Sequence, residues 1–275
     1  MEITSMNTEW PAKLTDPTGL RQAKPRTKGL TMVIDKGLGM HAFTDLIHTS
    51  GEYIDIIKLG FGTSALYPLG LLRDKVELAS RHGITVIPGG TLLEAAVKLD
   101  VVPAFFRQAL TVGFHGIEVS DGTIALGRID RDNLIRDGVS LGFKVYTEYG
   151  KKLLGSRIDV EQFATTAECD WACGAELVTV EARESGVSVG LFDERGNCRE
   201  QELRFMASAV PNLDRILWEA PLKDQQVQLL KALGSDVNLG NISVLDVLSL
   251  ETMRRGLRSD TFELHRPAYV ADYMI

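Results

Sequence analysis

The chain has 275 residues, 44% of them hydrophobic and 24% charged, which is enough apolar content to close one large core. Its net charge of -7 excludes a nucleic-acid surface, which would need a basic stripe to neutralise phosphates, so an anionic ligand must meet a local cluster of cations. Cys169, Cys173 and Cys198 have neither the spacing of a zinc ribbon nor the even count of a disulfide framework, and all three are expected to be reduced. Residues 1–28 are polar and contain no apolar run suited to a signal peptide or a membrane span, so a cytoplasmic protein without membrane contact is expected.

From Leu30 onward, short β-branched runs alternate with longer amphipathic stretches, the pattern of parallel strands joined by crossover helices. Eight runs read as strands, at residues 30–35, 54–59, 84–88, 116–120, 144–148, 177–181, 215–219 and 237–241. Helical periodicity falls between them at 71–82, 103–112, 130–141, 160–173, 200–210 and 223–233, and again after the last strand at 248–257. Six runs follow a glycine (Gly29, Gly51, Gly83, Gly113, Gly142 and Gly174), as expected where a helix ends in a left-handed cap. Eight β/α units in this length favour a closed (β/α)8 TIM barrel over an open doubly wound sheet. The expected organisation is an N-terminal extension (1–28), a single-domain barrel (29–262) and a peripheral tail (263–275).

In such a barrel the reactive face lies at the C-terminal ends of the strands. Strand one ends in Asp35-Lys36-Gly37, strand two carries Lys58, and strand three ends in Gly89-Gly90-Thr91. Glu118, Glu148, Glu181 and Glu219 close strands four to seven, with Lys151 and Lys152 after strand five and Arg183 after strand six, while strand eight carries Asn238 and Asn241. Four carboxylates crowded together repel one another, so a positive partner is expected among them. A hard divalent cation such as Mg²⁺ would suit Glu118, Glu148 and Glu181; a buried Lys/Glu network without metal is the plainer alternative.

Other signals are weaker. Gly60-x-Gly62 lacks the third glycine and the acidic partner of a dinucleotide fingerprint. Thr91 and Glu94 have the spacing of a capping box, and the bare amides of Gly89 and Gly90 before a helix would also suit an anion. The five histidines do not cluster, and only His41 falls in an expected upper loop.

Taken in order, the motifs resemble those of the phosphosulfolactate synthases. The resemblance is carried by Asp35-Lys36-Gly37-Leu38, Lys58-x-Gly60-x-Gly62-Thr63-Ser64, Pro88-Gly89-Gly90-Thr91-Leu92, Glu118-Val119-Ser120-Asp121-Gly122 and Thr147-Glu148-x-Gly150-Lys151-Lys152. It continues through Glu181-x-Arg183-Glu184-Ser185-Gly186, Trp218-Glu219-Ala220-Pro221, Val237-Asn238-Leu239-x-Asn241-Ile242 and the segment from Leu250 to Arg258. The match runs from about Gly29 to Phe262, and its departures are the N-terminal extension, Trp218 where the family often has Phe, and Gly240 where it often has Ala.

The resemblance implies a homo-oligomeric lyase that uses Mg²⁺ to add sulfite to phosphoenolpyruvate, on a route to coenzyme M or to sulfolactate. Sulfite and phosphoenolpyruvate are both anions, and each unit like-charge pair at 4 Å opposes their approach by about 4 kcal/mol at an effective dielectric of 20. The chemistry therefore requires Lys36, Lys58, Lys151, Lys152 and Arg183 to converge. Substrate binding is expected from Lys58, Gly89, Gly90, Thr91, Arg183, Asn238 and Asn241, and catalysis from Lys152, Lys151 and Lys36. By resemblance Lys152 is the acid that protonates carbon, with a pKa lowered by neighbouring cations; the residues alone leave Lys151 open. The alternatives are another phosphoenolpyruvate or enolate lyase on the same barrel, or a non-catalytic stress-associated relative, in which parts of this residue set are replaced.

Overall fold

The structure, a computed structural model, describes residues 10–153 and 155–265. The eight runs form parallel strands: β1 (Thr31–Asp35), β2 (Ile56–Leu59), β3 (Thr85–Pro88), β4 (Gly116–Val119), β5 (Lys144–Tyr149), β6 (Leu177–Val180), β7 (Ile216–Glu219) and β8 (Asn238–Ser243). Hydrogen bonds join them in the order β3-β2-β1-β8-β7-β6-β5-β4, and the two end strands lie side by side, with Ile87 of β3 close against Gly116 of β4. The result is a nearly closed (β/α)8 barrel in one domain.

Alternation along each strand sorts its side chains. Outward residues such as Val33, Ile57, Val86, Ile117, Val145, Val178 and Trp218 are buried against the surrounding helices, which is why the strands read as continuous apolar runs. Inward, Met32, Ile56, Ile87, Tyr146, Leu177 and Leu217 fill the barrel as an apolar plug. Two residues further along β2, β5 and β7 the same inward face presents Lys58, Glu148 and Glu219. The plug keeps water out below, so these charged groups sit in a low-dielectric layer and must neutralise one another.

The helices are α1 (Ala12–Thr15), α2 (Met40–Ser50), α3 (Leu69–Arg81), α4 (Gly90–Lys98), α5 (Val102–Val112), α6 (Arg128–Ser140), α7 (Val160–Ala172), α8 (Glu200–Ala209), α9 (Lys223–Leu233) and α10 (Val247–Arg254). Those anticipated from periodicity agree at their N-termini to within two residues, whereas α1 and α2 were not anticipated and α4 was anticipated only through the capping-box spacing at its start. Gly83, Gly113, Gly142 and Gly174 follow α3, α5, α6 and α7 with positive φ, as expected of caps. Gly51 departs from that expectation: it is right-handed (φ -56°), because the chain continues into a short 3₁₀ turn packed on Ile47.

The described part of the N-terminal extension clamps the underside of the barrel. Arg21 binds Glu251 (3.0 Å), Arg26 lies 3.5 Å from Asp55, and Lys24 donates to the carbonyl of Gly51 (2.7 Å). Of the expected tail, residues 266–275 lie outside the described residues. The three cysteines are free. A Cβ at Gly240 would meet Leu217 and come within 2.8 Å of Met32, so alanine there would require the plug to repack.

Candidate active site

Lys58 is the centre of the charged layer. Its ammonium donates to Glu118 Oε2 (2.8 Å), Glu148 Oε2 (3.0 Å) and Glu219 Oε1 (3.2 Å), so all three of its protons are taken by buried carboxylates. Burial alone would lower its pKa, but the surrounding carboxylates raise it well above the ordinary lysine value. Lys152, which follows β5, lies 3.0 Å from Glu148 Oε1 and 3.6 Å from Glu181 Oε2. Its pKa was expected to be lowered; burial does oppose its charge, but Glu148, Glu181 and Glu118 outweigh that effect and the pKa is raised. Lys152 is thus a protonated amine at neutral pH.

The glutamates do not share one state. Burial disfavours the charge of Glu148, yet Lys58 and Lys152 hold it ionised, well below the usual carboxylate range. The pKa of Glu181 is pushed up by burial and by the charges of Glu148 and Glu219. Glu118 is raised, chiefly by burial. Glu219 uses its second oxygen to accept from the amide of Ala182 (3.0 Å).

These side chains line a cavity of about 230 Å³ at the C-terminal ends of the strands, together with Phe61, Gly89, Gly90, Thr91, Arg183 and Asn241. Part of the cavity lining is strained backbone. Phe61, Arg183 and Asn241 have φ of 59°, 60° and 58°, making them three of the five described non-glycine residues in the left-handed region. Strain of this kind persists where the surroundings over-determine it. Here Glu181 Oε1 accepts from the Arg183 amide (2.5 Å), and Asn241 Nδ2 donates to the Arg183 carbonyl (3.0 Å). Among the described residues no hydrogen bond or ion pair engages the Arg183 guanidinium, which leaves it available to a ligand.

Several expected site residues are placed elsewhere. Lys151 is half-exposed and pins the loop after β4 by donating to the carbonyl of Asp121 (2.6 Å) and to its carboxylate (2.9 Å). The structure thereby separates it from Lys152, which does reach the cavity. Asn238 begins β8 at the far end of the barrel, where its amide group bonds to the backbone of Leu30, Asp214 and Ile216. Lys36 lines an adjoining chamber rather than this cavity. Thr91 lines the cavity but caps nothing: α4 begins one residue earlier, with Gly89 as its N-cap. That turns Glu94 toward the loop after β4, where it accepts from Ser120 Oγ (2.5 Å) and the Thr123 amide (2.8 Å).

The amide of Gly90 donates to Glu118 Oε1 (2.9 Å), and a Cβ at that position would sit 2.8 Å from the same oxygen. Both Glu118 oxygens are therefore engaged, one by Gly90 and one by Lys58, unlike those of the other two glutamates expected to bind metal. Glu148 Oε1 and Glu181 Oε2 are buried and have Lys152 as an ion-pair neighbour but accept no well-aligned hydrogen bond among the described residues, and neither does the buried Asn241 Oδ1. No group of three or more His, Cys, Asp or Glu among the described residues is arranged to hold a metal. A divalent ion would fit the two glutamate oxygens only by taking further ligands from substrate or water, a mode common for Mg²⁺.

Sequence reading missed most of a supporting shell, having taken Glu94 only as a capping-box partner of Thr91. Lys75, Arg131 and Glu94 lie on the buried stripes of α3, α6 and α4 and reach Asp35, Asp170 and Ser120 respectively. Arg131 also donates to the Glu148 carbonyl (3.1 Å), holding the end of β5 from which Lys152 projects. The available signal was a charged residue in register with an apolar stripe, as in Leu72, Lys75, Val76 and Ala79.

Inward lysines and glutamates at the C-terminal ends of eight parallel strands, around a cavity with an unpaired arginine, define a (β/α)8-barrel enzyme that handles a small molecule. The family profile described as "ComA: (2R)-phospho-3-sulfolactate synthase (ComA)" matches residues 19–260, and the chain belongs to that family. It is 42% identical over 243 residues to the phosphosulfolactate synthase of Methanothermobacter thermautotrophicus, covering 88% of this chain and 94% of the relative. With the phosphosulfolactate synthase of Methanocaldococcus jannaschii it shares 40% over 237 residues, covering 86% and 94%. Among solved structures, the YdjI aldolase of Escherichia coli K12 superposes with a TM-score of 0.53 at 13% identity, over 86% of this chain and 89% of the aldolase, a likeness of fold alone.

Proposed function

We propose that this protein is a lyase that adds sulfite to phosphoenolpyruvate with the help of Mg²⁺ to give phosphosulfolactate. The observation that carries the reading is the convergence of Lys58, Lys152 and Arg183 on one small cavity in a member of this family. Lys152 and the unpaired Arg183 offset part of the mutual repulsion of two anionic reactants, while Lys58 neutralises carboxylates that line the same cavity. The sulfur lone pair of sulfite forms a bond to the methylene carbon of phosphoenolpyruvate as the carbon–carbon π pair moves onto C2 and its carboxylate. Lys152 Nζ–H delivers a proton to C2, and the amine recovers a proton from solvent. Arg183 holds an anionic group of the substrate in bidentate fashion, while Lys58 fixes Glu118, Glu148 and Glu219 in place. Mg²⁺ held by Glu148 and Glu181 would supply Lewis-acid stabilisation for the charge that develops on the carboxylate.

The decisive test is to incubate the purified protein with phosphoenolpyruvate, sulfite and Mg²⁺ and to look for phosphosulfolactate by mass spectrometry; no product under these conditions refutes the reading. Activity should disappear in excess EDTA and return with Mg²⁺ or Mn²⁺. Glu148→Gln and Glu181→Gln should each raise the Mg²⁺ concentration for half-maximal rate by about ten-fold or more. Arg183→Ala should raise KM for phosphoenolpyruvate by about ten- to a hundred-fold, the usual effect of losing a charged hydrogen bond, and steady-state kinetics will check it. No helix among the described residues is long and apolar enough to cross a membrane, which is compatible with the cytoplasmic location we infer for this reaction. The homo-oligomer implied by the family resemblance can be tested by light scattering.

A further inference from the structure

Two chambers meet over the end of β8. Beside the inner cavity lies an outer one of about 400 Å³, lined in part by Lys36 and Gly37 after β1, Pro221 after β7 and Ser243 of β8, and sharing Glu184 and Asn241 with the inner chamber. Lys36 is the cation among its described lining residues, and in this structure it donates to Glu184 Oε1 at 2.5 Å. The two side chains are 48% and 53% exposed, so water screens their pairing and makes it easy to exchange. The shared wall also carries Asn241 Oδ1, a buried acceptor without a protein donor.

The position of the outer chamber indicates its ligand. Loops after the seventh and eighth strands are where barrels of this class frequently seat a phosphate, and the lining residues Pro221 and Val244 come from those two segments. A phosphate monoester carries a charge approaching -2 and three acceptor oxygens, against the single charge of a carboxylate, so it outcompetes Glu184 for the same ammonium. The inner chamber, with Lys58, Lys152 and Arg183, then remains for the carboxylate and the incoming nucleophile.

We propose that the outer chamber is the phosphoryl subsite, with Lys36 as its cation and Glu184 as the placeholder that the phosphate displaces. This rests on the reading that the substrate is a phosphorylated enolate, and it assigns Lys36 to binding rather than to proton transfer.

The test is calorimetric titration of inorganic phosphate, at low ionic strength, into the wild-type protein and the variants Glu184→Gln, Lys36→Met and the double variant. Removing the competing carboxylate should tighten phosphate binding about two- to five-fold, the scale of an exposed ion pair. Lys36→Met should weaken it about ten-fold or more, and the double variant should behave like Lys36→Met. Equal phosphate affinity in all four proteins would overturn the proposal, and so would weaker binding by Glu184→Gln. The titration needs no turnover, so its outcome stands apart from the product assay: wild-type protein that makes phosphosulfolactate while all four bind phosphate alike would sink the subsite and leave the reaction standing.

Discussion

Replacing Lys58 with methionine should lower the unfolding free energy by about 3–5 kcal/mol and abolish turnover, because it strips the charge from a buried pair network while leaving its other members in place. In the wild-type protein one ammonium serves Glu118, Glu148 and Glu219, each almost fully buried. Without it these carboxylates face Glu181 with Lys152 as their remaining ammonium neighbour. Part of the layer must then take up protons or water, and the amide of Gly90 at the start of α4 loses a fixed partner as Glu118 moves. Chemical denaturation measures the stability change. Adding Glu118→Gln to Lys58→Met removes one of the stranded charges and should restore part of the stability without restoring turnover. A stability within about 1 kcal/mol of wild type for Lys58→Met would show that the layer relaxes far more easily than its burial implies.

Lys152→Ala should lower turnover about 10²- to 10⁴-fold, the usual effect of losing a positioned general acid, while leaving most of the stability intact. Its side chain is more exposed than that of Lys58, and its contact with Glu181 is long at 3.6 Å, so the network depends on it less. Its methylenes lie about 3.0 Å from where a Cβ at Gly122 would stand, so the loop after β4 guides the amine toward the cavity. Single-turnover kinetics and melting curves on the same variant separate the acid from a structural cation. Near-wild-type turnover would rule out the acid role, since Lys151 is committed to the loop after β4 and Lys58 to three carboxylates.

The barrel was legible because its strands are buried on both faces and read as short apolar runs, such as Ile216 to Trp218, between amphipathic helices. Helices were harder to read where composition misleads: α4 opens on a glycine, so its cap was placed too late, and α2, which mixes polar and β-branched residues along its length, was not anticipated. The gathering of Lys58, Glu118, Glu148, Glu181 and Glu219 was likewise legible, because strand ends in a (β/α)8 barrel converge whatever the intervening chain does.

What the amino-acid order determined by itself was therefore the fold, the set of charged residues brought to one face and the family to which the chain belongs. Which charge meets which was decided only in three dimensions. Neighbours in sequence diverge: Lys152 enters the cavity while Lys151 turns outward to Asp121, and Asn241 braces Arg183 at the cavity while Asn238, three residues earlier, ties strands together at the opposite end. The direction of each pKa shift was decided there too, since Glu148 and Glu181 are chemically alike in sequence and differ in having two ammonium groups or two carboxylates as their dominant electrostatic neighbours. The reason is physical: pairing in a buried layer depends on separations of a few ångströms set by strand register and loop path, and local sequence carries neither.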